Sequence, residues 1–286
     1  MIAGAAESSS AAFPLAEPDG VTWALRLRRF GDRAADLAVD FTERCEPRLI
    51  TEILAGCLLA ADGAPIGREA IWDLEVGRRI EALLRLAALD AGSGDLLEVE
   101  LRCVEPDCRA FLEFTLSIPA LAGAAEPLPS LRLGEQDFAL RRPTARDQLA
   151  WLERAFADEQ EATLAMAASL LAREAGDKDG AEAPEVLTDD PSLVAALEDA
   201  LERADPLVRF TAALDCPDCG RPQLRALDLA GLALRRLRRA QDALLEQVHR
   251  LALRYHWSEA EILALPEWRR RRYLAMIDAA SGGRGA

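Results

Sequence analysis

Histidine is nearly missing from this 286-residue chain: its two residues, His249 and His256, fall in or at the end of a run otherwise filled with packing residues. That removes most histidine-based acid–base chemistry, and no phosphate-cradling glycine loop, nucleophile elbow or paired metal-binding histidine motif is present. Long apolar runs are also missing. No stretch approaches the ~20 residues that cross a bilayer, and no basic segment precedes an apolar one in Met1–Gly20, which is Ala/Ser/Pro-rich and is expected to be disordered. A cytoplasmic protein is expected, in a compartment where free thiols and zinc sites persist, with no membrane partner. Acidic residues outnumber basic ones, 49 to 34, so the formal net charge is −15. A bulk charge of that sign repels nucleic acid. Lys178 is the only lysine among many arginines, a trace of base composition that says nothing of function.

The charge is unevenly spread. Residues 221–286 hold thirteen arginines against seven acidic residues, a surplus of six that leaves −21 on the first 220 residues. The basic end interleaves arginines with large apolar residues at helical spacing, which favours protein contact over phosphate binding. With half of the residues hydrophobic, the chain can bury a sizeable core without disulfides.

What is present is two cysteine pairs far apart, Cys103/Cys108 in LRCVEPDCRAFLEF and Cys216/Cys219 in LDCPDCGRPQLRAL. Leu97, Val99, Leu101 and Cys103 alternate with polar residues, as do Val208, Phe210, Ala212, Leu214 and Cys216, so each pair is preceded by a half-buried strand. Each is followed by a second strand-like run, Leu112–Phe114–Leu116 or Leu224–Ala226. Each pair therefore caps a hairpin, and four thiolates from two such turns complete a tetrahedral structural zinc site. In Cys-Pro-Asp-Cys-Gly the two-residue gap lets both sulfurs reach one ion, and Gly220 suits a left-handed turn. The gap of four in the first pair is still within the range of zinc ligands. Buried thiols in a metal-free copy of the motif are the alternative. A thioredoxin-like pair is disfavoured because no βαβ pattern opens a helix at Cys219. Cys57, in ITEILAGCLLA, reads as a core residue.

Along the chain, 1–20 is the disordered terminus and 21–95 a strand (Val21, Trp23, Leu25, Leu27) followed by helices near 47–61 and 66–90. Residues 96–230 form a split, zinc-ribbon-like region with a helical insert. The insert holds a small hairpin at Leu131–Phe138 and a long helix from the N-cap Thr144 with Leu149, Leu152, Phe156, Thr163, Ala167 and Leu170 inward. A charged linker at 175–190 and a short helix carrying Val194, Leu197 and Leu201 follow. Residues 231–286 are C-terminal helices. Leu234, Leu237, Leu244, Val248, Leu251 and Tyr255 share one face of the first, with Gln241 its only polar member. Ser258 and Glu261 make a capping box, and Pro266 opens a final helix through Arg269–Arg272. The fold class is mainly α with small β-hairpins (α+β).

Two short helices hold Trp257, Ile262, Leu265, Trp268 and Tyr273, more large apolar groups than a terminal helix pair readily buries against itself. With Arg269 and Arg272 they form the candidate partner-binding surface, since aromatic and arginine side chains dominate interfaces. A solvated basic end is the plainer reading of the four arginines. The acidic cluster Glu98, Glu100, Glu105 and Asp107 is of a kind common on solvated strand faces. The expected protein is therefore non-enzymatic. A zinc-ribbon nucleic-acid-binding or regulatory protein is the alternative, disfavoured because Glu and Asp flank the hairpin turns and few aromatics lie there for base stacking.

Three blocks, WDLEVGRRIEALLRL, LDCPDCGRP, and VHRLALRYHWSEAEILALPEWRRRRYLAMI, together resemble the T4-type phage baseplate protein family over most of residues 66–280. Members of that family are baseplate hub components or hub assembly chaperones of contractile phage tails and of extracellular contractile injection systems. Where the family tends to carry a tighter Cys-Pro-x-Cys knuckle at the first pair, this chain has CVEPDC. The resemblance implies protein–protein contact with baseplate, hub or tail-tube proteins, either as a transient chaperone or incorporated into the particle.

Overall fold

The computed structural model describes residues 11–16, 22–133, 136–173 and 191–282. β1 (Ala11–Ala16) pairs antiparallel with β2 (Thr22–Leu27). The terminus expected to be disordered up to residue 20 thus includes a strand, because Ala11–Ala16 completes an edge against β2; residues 1–10 and 17–21 lie outside the described residues. After α1 (Ala34–Leu37), α2 (Glu46–Cys57) places Leu49, Ile50, Ile53, Leu54 and Cys57 on one buried face. It stops four residues short of the expected end because Leu58 turns extended: β3 (Leu58–Leu59) pairs with β2.

The helix expected over 66–90 is two helices, α3 (Arg68–Trp72) and α4 (Val76–Ala91). The backbone between them is recruited by a distant segment: Val76 N–H donates to Pro143 O (2.8 Å), Ala145 N–H donates to Leu74 O (3.3 Å), and Glu75 bridges Thr144. Periodicity alone carries no trace of such a pairing. α4 ends at Gly92, whose φ of 69° supplies the left-handed cap.

Next come the first cysteine hairpin, β4 (Leu96–Arg102) and β5 (Phe111–Ser117), and α5 (Ile118–Gly123). The insert opens with β6 (Ser130–Leu133) and β7 (Gln136–Leu140), the expected small hairpin, joined by β8 (Leu171–Arg173) as a third strand. Its long helix is again two, α6 (Ala145–Glu153) and α7 (Glu159–Ser169). Thr144 and Asp147 form the capping box expected of them, but a second N-cap interrupts the run: Asp158 accepts from Glu161 N–H, and Ala157 N–H donates to the Glu161 carboxylate. The kink turns Leu152 outward, 64% exposed, whereas Ala167 and Leu170 stay buried as expected. The linker at 175–190 lies outside the described residues. α8 (Pro191–Ala204) closes the insert.

The second cysteine hairpin, β9 (Phe210–Asp215) and β10 (Pro222–Leu227), runs into α9 (Leu229–Tyr255), whose N-cap Asp228 accepts from Gly231 N–H. α10 (Glu259–Leu263) and α11 (Glu267–Gly282) end the described chain. Small antiparallel sheets among helices give the expected mainly α architecture.

Three apolar cores follow. The largest packs α2, α4, the sheet faces of β2, β4 and β5, and α9 as far as Leu237. The insert has its own small core around Leu140, Ala167, Leu170, Leu197 and Ala200. The C-terminal helices close over Val248, Leu251, Ile262 and Leu274. Gln241, the lone polar residue on the α9 stripe, is buried because its amide donates to Asp36 O and Val39 O, each at 2.9 Å. The Asp36 carboxylate is held in turn by a two-pronged Arg28 contact at 2.6 and 2.7 Å, the geometry that makes an Arg–carboxylate pair strong.

Candidate metal centre

Each cysteine turn is closed by its own backbone. Cys103 N–H donates to Ala110 O and Cys108 N–H to Glu105 O, both at 3.0 Å. In the second turn Cys216 N–H donates to Arg221 O at 3.1 Å and Gly220 N–H to Cys216 O at 2.9 Å, with Gly220 at φ 68°. That is the left-handed position only a residue without Cβ occupies cheaply.

The two turns meet tip to tip. Cys103 Sγ lies 3.8 Å from Cys219 Sγ, Cys108 Sγ lies 3.7 Å from Cys216 Sγ, and all four sulfurs fall within 4.8 Å of one another. These are nearly twice the ~2.05 Å of a disulfide. A tetrahedron with metal–sulfur bonds of about 2.3 Å has sulfur–sulfur edges of about 3.8 Å, so these two separations already match a four-thiolate metal site. The donor set fits a single soft cation with all four positions supplied by protein. Among the described residues this is the one group of three or more metal-ligating side chains so placed.

Supporting contacts surround the sulfurs. Gln223, on β10 and buried, donates its Nε2 to Cys103 Sγ at 2.9 Å and accepts the Val104 N–H at 3.2 Å. Arg221 pairs with Glu105 across the two turns at 2.5 Å, and Arg225 donates to Arg102 O at 2.7 Å. Outer contacts of this kind fix ligand orientation and offset the negative charge that four thiolates carry. Backbone amides of Cys219 and Asp218 directed at Cys216, with help from neighbouring thiols, lower its pKa to about 7. At Cys108 the Ala110 amide pulls the other way, yet desolvation and the three neighbouring sulfurs push it up to about 12. Without a cation the cluster resists full ionisation; a bound cation removes that barrier.

Gln223 escaped the reading of the sequence, which marked the return strand by Leu224 and Ala226. Pairing of Pro222 with Asp215 sets the opposite parity: Gln223, Arg225 and Leu227 share the face of Leu214, Ala212 and Phe210, and Leu224 is 77% exposed. That parity is set by the length of the turn, which pairs Cys216 with Arg221 and so places Gln223 opposite Leu214.

The expected partner-binding residues do not form one surface. Ile262 is fully buried between α9 and α11 and cannot dock a partner; it belongs to the chain's own core because α10 lays it against Val248, Leu251 and Leu274. Trp257 stacks on Tyr255 with centroids 4.7 Å apart, and Tyr273 meets both edge-on. Leu265 is half-buried, with Arg270 donating to its carbonyl at 2.7 Å. Trp268 is 70% exposed, Arg269 and Arg272 are exposed, and Arg269 donates to Tyr273 Oη at 3.1 Å. Of the acidic cluster, Glu105 is taken by Arg221, while Glu98 and Glu100 lie on the outer face of β4. His249 is exposed on α9, and His256 caps that helix at φ 56°.

No protein-family model, curated protein or solved structure matches the chain. No helix among the described residues is long and apolar enough to cross a membrane. The fold and site define a mainly helical protein whose two distant hairpins are joined at a four-cysteine centre.

Proposed function

We propose that this protein is a non-enzymatic, zinc-stapled assembly protein: a baseplate component or hub assembly chaperone of a contractile phage tail or contractile injection system, acting by protein contact. The observation that carries the structural role is the closed cysteine tetrad, because structural zinc sites fill all four positions with protein ligands whereas catalytic ones leave a position open. Cys103, Cys108, Cys216 and Cys219 would hold the ion. Bound zinc would supply no reaction step, only a cross-link between residues more than a hundred positions apart.

The baseplate assignment is supported by the likeness of three sequence blocks to that family, strongest at the C-terminal end. The exposed Trp268 beside Arg269 and Arg272 is the surface offered to a baseplate, hub or tail-tube protein; such pairs are the anchors that interfaces favour. Affinity capture from cells assembling contractile particles tests this reading. The wild-type protein is expected to bring down a baseplate or tail-tube protein, and a Trp268→Ala, Arg272→Ala double variant with unchanged melting is expected to lose it. Equal capture by both would place the docking surface elsewhere, and recovery of nucleic acid alone would overturn the reading.

A further inference from the structure

The four clustered sulfurs are unequally accessible. Cys216 is 2% exposed, Cys103 and Cys108 are half-buried, and Cys219 is exposed. A bound cation holds all four as thiolates, so access rather than acidity selects the sulfur that first meets a reagent from solution. That sulfur is Cys219. Cys216, in the same turn, is covered and is held by the amides of Cys219 and Asp218.

Across the junction, Cys103 Sγ lies 3.8 Å from Cys219 Sγ and Cys108 Sγ lies 3.7 Å from Cys216 Sγ. Each contact joins one hairpin to the other, over 116 and 108 residues of chain. Closing either gap to the ~2.05 Å of a disulfide takes less than about 2 Å of travel, shared by two side chains. Gln223 Nε2 fixes Cys103 in place at 2.9 Å.

We propose that Cys219 is a site of oxidative modification by hydrogen peroxide, and that Cys103 resolves the product into a disulfide between the two hairpins. The Cys219 thiolate attacks one peroxide oxygen: an S–O bond forms, the O–O bond breaks and hydroxide leaves, giving a sulfenic acid. The Cys103 thiolate then attacks the Cys219 sulfur, forming the S–S bond and expelling a second hydroxide. Two sulfurs have together lost two electrons, and one peroxide has become two hydroxides. With two donors consumed, the remaining pair no longer supplies a four-coordinate site, and a bound ion is released. A second peroxide then joins Cys108 to Cys216 in the same way. The staple is exchanged rather than lost: hairpins joined through metal in a reducing compartment stay joined by disulfides in an oxidising one. The proposal rests on the cysteine cluster, and on the zinc reading only for the released ion.

The test is stepwise hydrogen peroxide treatment of the full-length protein, with zinc release followed by a chromogenic chelator and disulfides mapped by mass spectrometry of unreduced peptides. Cys103–Cys219 is expected as the first disulfide, together with release of about one zinc per chain. Cys108–Cys216 is expected at higher peroxide, and dithiothreitol with zinc should restore the starting state. Cys57, fully buried, is expected to stay reduced. In Cys103→Ser, dimedone is expected to trap a sulfenic acid at Cys219. A first disulfide within one turn, Cys216–Cys219 or Cys103–Cys108, a dimedone adduct on Cys216 in place of Cys219, or no disulfide at all would each overturn the proposal. Mapping of the wild-type protein decides the matter even if Cys103→Ser does not fold. Protein that carries no zinc yet forms Cys103–Cys219 would support the proposal and overturn the zinc reading; protein that keeps its zinc and all four thiols through the treatment would do the reverse.

Discussion

The cysteine hairpins and the C-terminal helices are two small units held by opposite means. Each hairpin is an isolated two-stranded sheet, marginal in water by itself. One side packs on the main core through Leu97, Val99 and Leu116, but the tips carry little apolar weight: Val104 and Phe111 are exposed, and Leu224 is nearly free. What brings the tips together is four sulfurs and a few polar contacts. The C-terminal unit needs no such centre. It buries Val248, Leu251, Ile262 and Leu274 under a stack of Tyr255, Trp257 and Tyr273, and leaves Trp268 outside. A group of apolar residues close in sequence is therefore not one surface; burial divides it into core and remainder.

The difference predicts separable failures. The largest is expected from Cys216→Ser, which removes the most buried of the four clustered sulfurs. Metal content should fall to near zero and hydrogen exchange at both hairpin tips should rise together, while the C-terminal helices keep their protection. Protection lost evenly across the chain would show that the two units are not separate. Next, Ile262→Ala should cost about 2–5 kcal/mol, the range for opening a cavity at a buried aliphatic residue. Bound metal should be unchanged, as chemical denaturation followed by elemental analysis would report.

A third region is held by neither device. Gly77, in the first turn of α4, lets the Asp205 carboxylate approach so closely that a Cβ there would lie 2.0 Å from its oxygen. Burial raises the Asp205 pKa to about 6, against the pull of Arg142. The folded state therefore binds the proton more tightly than the unfolded one. Stability from this group is greatest below about pH 4 and is lost as pH rises through about 6. Asp205→Asn should flatten that slope between pH 4 and 6 and stabilise the protein at neutral pH by about 1–2 kcal/mol. A slope that survives the substitution would point to another group. The smallest effect is expected from Trp268→Ala, within about 0.5 kcal/mol of wild type, as for surface positions that support nothing beneath them; a larger loss in thermal melts would return Trp268 to the core.

Much of this was legible in the sequence, because period-two alternation before each cysteine pair and period-3.6 burial along 234–251 are local signals. The pairing of Cys103/Cys108 with Cys216/Cys219 was legible too, since thiol chemistry asks for four ligands whatever separates them. Breaks at 73–75 and 154–158 were not. The first comes from a strand-like bridge to Thr144, and the second from Asp158 outcompeting an apolar stripe as an N-cap. Ile262 could not be told from Trp268 by residue type, since only the crossing of α9, α10 and α11 decides which is covered.

The central claim is that one metal ion staples the two hairpins. Elemental analysis of protein purified without added metal, with melting recorded before and after chelation, tests it most directly. About one zinc per chain is expected, with chelation releasing the ion, exposing four further titratable thiols and lowering the melting temperature. A protein that carries no tightly bound metal and melts identically after chelator treatment would contradict it.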